Sequence, residues 1–170
     1  MSRLLGAVLL VTGFTLMGIG AQQRMHGRIK DLNGLICGLE SMQRGLASRE
    51  ESLLSMLCGA SNCTQGRPAG FFRALQSGLI ALDGNSFARL WNETLIGSGL
   101  FCEGEDLEIL GQLGGVLGCC DGESQLAALG EAIGALTTAR KEAKEQSQTK
   151  GRVYVTLGVS CGLLLVILLI

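Results

Sequence analysis

From Met25 onward, apolar residues recur every three or four positions: Met25, Ile29, Leu32, Ile36, Leu39, Met42 and Leu46. That spacing lays one continuous apolar stripe along a helix. Ser48, with Glu51 three positions later, has the pattern of a capping box and predicts a second helix carrying Leu53, Leu54 and Leu57. Residues 59–67, rich in Gly, Ser, Asn and Thr, read as a loop. Pro68 then opens a third helix from its first position, where the missing N–H costs nothing. Phe71, Phe72, Leu75 and Leu79 supply its apolar face. Asp83-Gly84-Asn85 is turn chemistry. Asn85 or Ser86 caps a fourth helix with Phe87, Leu90, Trp91 and Leu95, where Trp91 is expected to anchor the core. An acidic stretch leads into Leu107, Leu110, Leu113 and Leu117. Asp121 caps the last and longest helix, striped by Leu126, Leu129, Ile133 and Leu136. No stretch alternates as a half-buried strand does. Short connections favour antiparallel neighbours, so an all-α antiparallel bundle is expected.

The two ends follow another pattern. Residues 4–21 and 153–170 are apolar runs without Asp, Glu, Lys, Arg or His. As helices each reaches roughly 27 Å, close to the ~30 Å hydrocarbon core of a bilayer. The expected organisation is a membrane helix at 4–21, a helical domain at 22–152 and a membrane helix at 153–170. Gly18-Ile19-Gly20 could serve as a signal-peptide cleavage site. Against cleavage, Arg24, Arg28 and Lys30 directly follow the first run. Arg140, Lys141, Lys144, Lys150 and Arg152 precede the second. Basic residues beside a span stay in the cytoplasm, so the middle is expected there, with both termini across the membrane. Within the second run, Gly158 and Gly162 lie four apart, a spacing that lets another membrane helix approach closely. Gly34 with Gly38, and Gly130 with Gly134, repeat the spacing in the middle segment, where ordinary tight packing is the expected reason.

Composition narrows the chemistry. Of fourteen Lys and Arg only Arg3 lies outside the middle segment, which also holds all fifteen Asp and Glu. Charge is thus nearly balanced there, and with one Trp the segment has neither the basic footprint nor the stacking surface of a nucleic-acid binder. The seven cysteines form no tight framework and fit a cytoplasmic domain that leaves them unpaired. Cys58 with Cys63, and adjacent Cys119 and Cys120, do not have the spacing of a structural zinc site. Gly158-Val159-Ser160-Cys161-Gly162 matches a nucleophile elbow in letters only. It lies in an apolar span, and the chain's one histidine is His26. No lysine follows a glycine, so no phosphate-binding loop of the G-x-x-x-x-G-K-[ST] type exists. The expectation is a non-enzymatic chain with no cofactor, no metal and no small-molecule substrate. Glu103, Glu105, Asp106 and Glu108 suit a helix's first turn, and equally form a candidate surface for a basic partner.

Leu4-Leu5-Gly6-Ala7 opens the first run. Leu107, Leu110, Leu113, Gly114, Leu117, Gly118, Asp121 and Gln125 form the most specific middle motif. Leu157-Gly158 and Gly162-Leu163-Leu164-Leu165 lead into the aliphatic end. In this order of parts the chain resembles the stage III sporulation protein AB family of endospore-forming bacteria over essentially its full length, least closely around residues 58–68. The resemblance implies a mother-cell membrane component of the channel complex linking mother cell and forespore. It also implies a fold like the cytoplasmic domain of type II secretion inner-membrane platform proteins. Its partners would be a secretion-type ATPase, stage III sporulation protein AA, and other channel-complex proteins. A general bacterial membrane scaffold or sensor outside sporulation shares the physical features, and a small membrane enzyme or redox protein would need clustered catalytic side chains.

Overall fold

Among the described residues six helices follow one another: α1 (Ser2–Ala47), α2 (Leu53–Cys63), α3 (Arg67–Ile80), α4 (Phe87–Gly97), α5 (Gly104–Leu117) and α6 (Gly122–Leu169). The computed structural model describes the backbone of residues 2–48, 52–81 and 86–169, and the side chains of residues 23–48, 52–81 and 86–148. Every described element is helical. The expected spans at 4–21 and 153–170, with Gly158 and Gly162, lie outside the described side chains. Among the described residues no helix is long and apolar enough to cross a membrane.

The apolar stripe of α1 becomes the spine of the core. Leu32, Leu35, Ile36, Leu39 and Met42 are buried there with Leu129 and Leu136 of α6, Leu57 of α2 and Leu75 of α3. Burying a side chain of this size contributes roughly 1.5–3 kcal/mol. The Arg140 guanidinium donates to Asn33 Oδ1 at 2.9 Å, and Gly130 lies against Gln43. Numbering rises along α1 as it falls along α6, so the two helices are antiparallel. Residues 23–30 and 143–148 therefore share one end of the bundle.

Three boundaries differ from the sequence expectation. Ser48 closes α1 instead of opening α2: its N–H donates to Arg44 O and its hydroxyl to Gly45 O. Ser52 is the cap of α2, accepting the Ser55 N–H at 3.3 Å. α2 then runs through the Gly-, Ser- and Asn-rich residues to Cys63, because Ala60 is fully buried against the core. Thr64 turns its hydroxyl back to Ala60 O at 2.9 Å. Only 64–66 remain as a connection, and Gly66 turns the chain at φ 69°. Arg67 is the first residue of α3 and Pro68 the second, still within the turn whose N–H groups lack helical partners.

Close packing explains several glycines. Cβ atoms on Gly34 and Gly38 would stand 2.7 Å from the Pro68 ring and 2.2 Å from the Phe72 ring. The four-residue step on α1 thus matches the four-residue step from Pro68 to Phe72 on α3. The second pair does not repeat the device: Gly130 only meets Gln43, and a Cβ on Gly134 would meet nothing.

Candidate functional site

The acidic stretch is organised by α1. Glu103 is the N-cap of α5 in a reciprocal box with Asp106, whose Oδ2 accepts the Glu103 N–H at 2.8 Å. Asp106 is 0 % exposed. Arg28 of α1 reaches it with two donors, Nε to Oδ2 at 2.9 Å and Nη2 to Oδ1 at 3.0 Å, while Nη1 pairs with Glu103 at 2.8 Å. Burial pulls the Arg28 guanidinium down, but the hydrogen bonds and charge of Asp106, with Glu103, outweigh it and raise the group above its ordinary value. It stays charged. Three residues on, Asp31 Oδ2 accepts the Phe101 N–H at 2.8 Å and pairs with Arg67 of α3 at 3.2 Å. The Arg67 guanidinium lies 3.6 Å above the Phe101 ring, and that ring fills the space beside Gly27. Cys102 is half-buried here, and burial, then the charges of Asp106 and Asp31, push its thiol up to about 12. It is an inert thiol.

Asp106 therefore does not belong to the candidate partner surface. It is a buried carboxylate holding α5 to α1, while Glu103, Glu105 and Glu108 are exposed. Leu107 also departs from expectation, being 38 % exposed. The other motif leucines, Leu110, Leu113 and Leu117, are buried. Gly114 is the socket for Trp91, whose Cδ1 would stand 2.2 Å from a Cβ there. Trp91 is fully buried, donates Nε1–H to Leu110 O at 2.7 Å and meets Phe71 edge-on at 5.1 Å. Gly118 lies 3.1 Å from Phe87 Cβ by the same measure. Asp121 caps α6 through Ser124. The Gln125 amide donates to Leu117 O at 3.1 Å and Cys120 O at 2.8 Å, closing the α5–α6 turn. The motif thus builds the α4–α5–α6 joint.

Sequence reasoning missed Ile96. The contacts of Trp91 with Gly114, Asn92 with Gly111 and Phe87 with Gly118 set α4 and α5 antiparallel. One further turn brings Ile96, 85 % exposed, level with Leu107. Each helix thus carries one exposed apolar side chain at this level, and Glu105 and Glu108, next to Leu107 in sequence, are exposed as well. Residues 86–121 hold one base, Arg89, and six acids, Glu93, Glu103, Glu105, Asp106, Glu108 and Asp121, and Arg89 is itself paired with Glu93 at 2.8 Å. Elsewhere, a depression of about 390 Å³ between α1 and α2 is lined by Ser41, Arg44, Ser48, Ser55 and Cys58, with no carboxylate or imidazole among its lining residues. Among the described residues no three His, Cys, Asp or Glu side chains stand close enough to hold a metal ion.

The family model described as stage III sporulation protein AB matches residues 3–170. A solved structure titled stage III sporulation protein AB (SpoIIIAB) is similar at 21% identity, covering 73% of this chain and 98% of that one, with a TM-score of 0.66. That likeness shows a shared fold. No curated protein sequence matches the chain.

Proposed function

The chain belongs to the stage III sporulation protein AB family, and from that premise we propose that it is a non-enzymatic, membrane-anchored platform of the channel complex between mother cell and forespore. On this reading residues 4–21 and 153–170 cross the mother-cell membrane. The helical body lies in the cytoplasm, as in the platform proteins of type II secretion, and it receives a secretion-type ATPase. The antiparallel course of α1 and α6 supports the double anchor, since residues 23–30 and 143–148 lie at one end of the bundle. Exposed Arg24, Lys30, Lys141 and Lys144 lie there too, as suits the cytoplasmic face of an anionic membrane.

The observation that carries the adaptor reading is the α4–α5 edge, where Ile96 and Leu107 stand out among acids. Its acidic rim is level with Arg28, seven residues or ~10 Å along the helix from the first apolar run. A basic partner docked there would work beside the membrane. Since the chain has no phosphate-binding loop, energy for transport would come from that partner. The test is binding of the cognate ATPase to the full chain in lipid nanodiscs. Binding should weaken as salt rises, and Ile96→Arg with Leu107→Arg should weaken it at least tenfold. No binding at any ionic strength overturns the ATPase reading. Binding indifferent to both substitutions overturns the choice of edge.

A further inference from the structure

Cys37, half-buried on α1, and Cys63, exposed at the last turn of α2, face each other across the seam between those helices. The Cys37 thiol donates to Cys63 O at 3.5 Å, and the Cys63 thiol donates to Cys37 O at the same distance. Cys63 Sγ also lies 3.3 Å from Ala60 O. Each sulfur reaches the other residue's own backbone, so the two side chains share one narrow seam, and a disulfide needs two cysteines brought this near. The approach does not depend on the thiols. Gly59 against Ser41, and the Gly34 and Gly38 sockets for Pro68 and Phe72, press the end of α2 and the start of α3 onto α1. The other described cysteines lack this arrangement. Cys58 is engaged by Asn62 of its own helix, Cys102 is half-buried near Asp106 and Asp31, and Cys119 and Cys120 are exposed at the α5–α6 turn.

We propose that Cys37 and Cys63 are a redox-responsive pair that a peroxide converts to an intrachain disulfide, stapling α2 to α1. The Cys63 thiolate, the more accessible of the two, attacks one peroxide oxygen. The O–O bond breaks, hydroxide departs and Cys63 becomes a sulfenic acid. The Cys37 thiolate then attacks the Cys63 sulfur, the S–S bond forms and the second hydroxide leaves. With the two thiol protons, both hydroxides become water, so the thiols are oxidised and the peroxide is reduced. In a cytoplasmic body such bonds are transient and report oxidation. Burial raises the Cys63 thiol from its ordinary value, and its hydrogen bond with Cys37 raises it further. Cys63 therefore stays largely protonated at neutral pH and reacts only when oxidant is abundant.

The test uses the full chain in detergent, exposed to hydrogen peroxide, alkylated with iodoacetamide and mapped by fragmentation mass spectrometry. The expected product is one cross-linked peptide pair joining Cys37 to Cys63, removed by dithiothreitol, with Cys58 still alkylated. Closing the loop restrains the unfolded chain, so oxidation should raise the melting temperature by roughly 5–10 °C. Cys63→Ser, which keeps an O–H donor beside Ala60, should abolish that rise. Recovery of Cys37 and Cys63 separately alkylated or as sulfinic acids, or a bond from either to Cys119 or Cys120, overturns the proposal.

Discussion

Gly114 and Gly115 are neighbours in α5 with opposite surroundings. A methyl at 114 would enter the Trp91 indole, which is held by its hydrogen bond to Leu110 and by Phe71. A methyl at 115 would meet nothing within 4 Å. Overpacking costs typically about 1–3 kcal/mol, more than the roughly 0.5–1 kcal/mol that alanine returns in a helix. Gly114→Ala should therefore lower stability and Gly115→Ala should raise it, as read from denaturant midpoints; shifts of the same sign would refute the socket. The sequence displays these glycines without distinguishing them, because the partner that fills each socket lies far along the chain. Asp106 is harder still. Beside Glu105 and Glu108 it reads as one more surface acid, and Arg28, which buries it, is 78 positions away in a segment whose bases read as membrane flanks.

Caps and stripes are the elements' legible features. Leu32, Ile36, Leu39 and Met42 announce α1, and Ser86 and Asp121 stand where α4 and α6 begin, since a period and a cap are local signals. Ser86 accepts the Arg89 N–H at 3.4 Å, so Ser86→Ala should cost about 1 kcal/mol in an unfolding titration; no loss would show the cap to be idle. Asp121 adds a pH term. Its hydrogen bonds from Ser124, side chain first and then backbone, lower its folded value. Its contribution is complete above the unfolded carboxylate's range and is lost as pH falls through the lowered folded value. α2 escaped local reading for the opposite reason. Ser48 and Glu51 imitate a cap, and residues 59–63 imitate a loop, but burial of Ala60 overrides both.

Across the molecule, α1 fastens the chain at two places in the 98–106 segment, through Asp31 to Phe101 and through Arg28 to Asp106. The second is a buried ion pair, with Arg28 12% exposed and Asp106 not at all. Removing one member leaves the other uncompensated, at about 3–5 kcal/mol. Arg28→Met should show that loss. Adding Asp106→Asn, which keeps an acceptor for the Glu103 N–H, should restore part of it. The check is a double-mutant cycle by equilibrium unfolding, and a further loss from the second substitution would contradict the pairing. All-helical architecture was legible as a whole, because every stripe had the helical period. The exposed edge was not, since Ile96 and Leu107 share it only through the register that Trp91 and Gly114 set between α4 and α5.

The antiparallel pairing of α1 with α6 also has a consequence in time. Arg140 follows its partner Asn33 by 107 residues. At about 5–20 residues per second of synthesis, the first helix waits roughly 5–20 s for the surface that completes its burial. Through that interval α2 and α3 are the first covers within reach, because the Gly34 and Gly38 sockets take Pro68 and Phe72, which are made well before the 98–106 segment. The glycine step on α1 thus acts first as a temporary shelter for a nascent helix, and only later as part of the finished core.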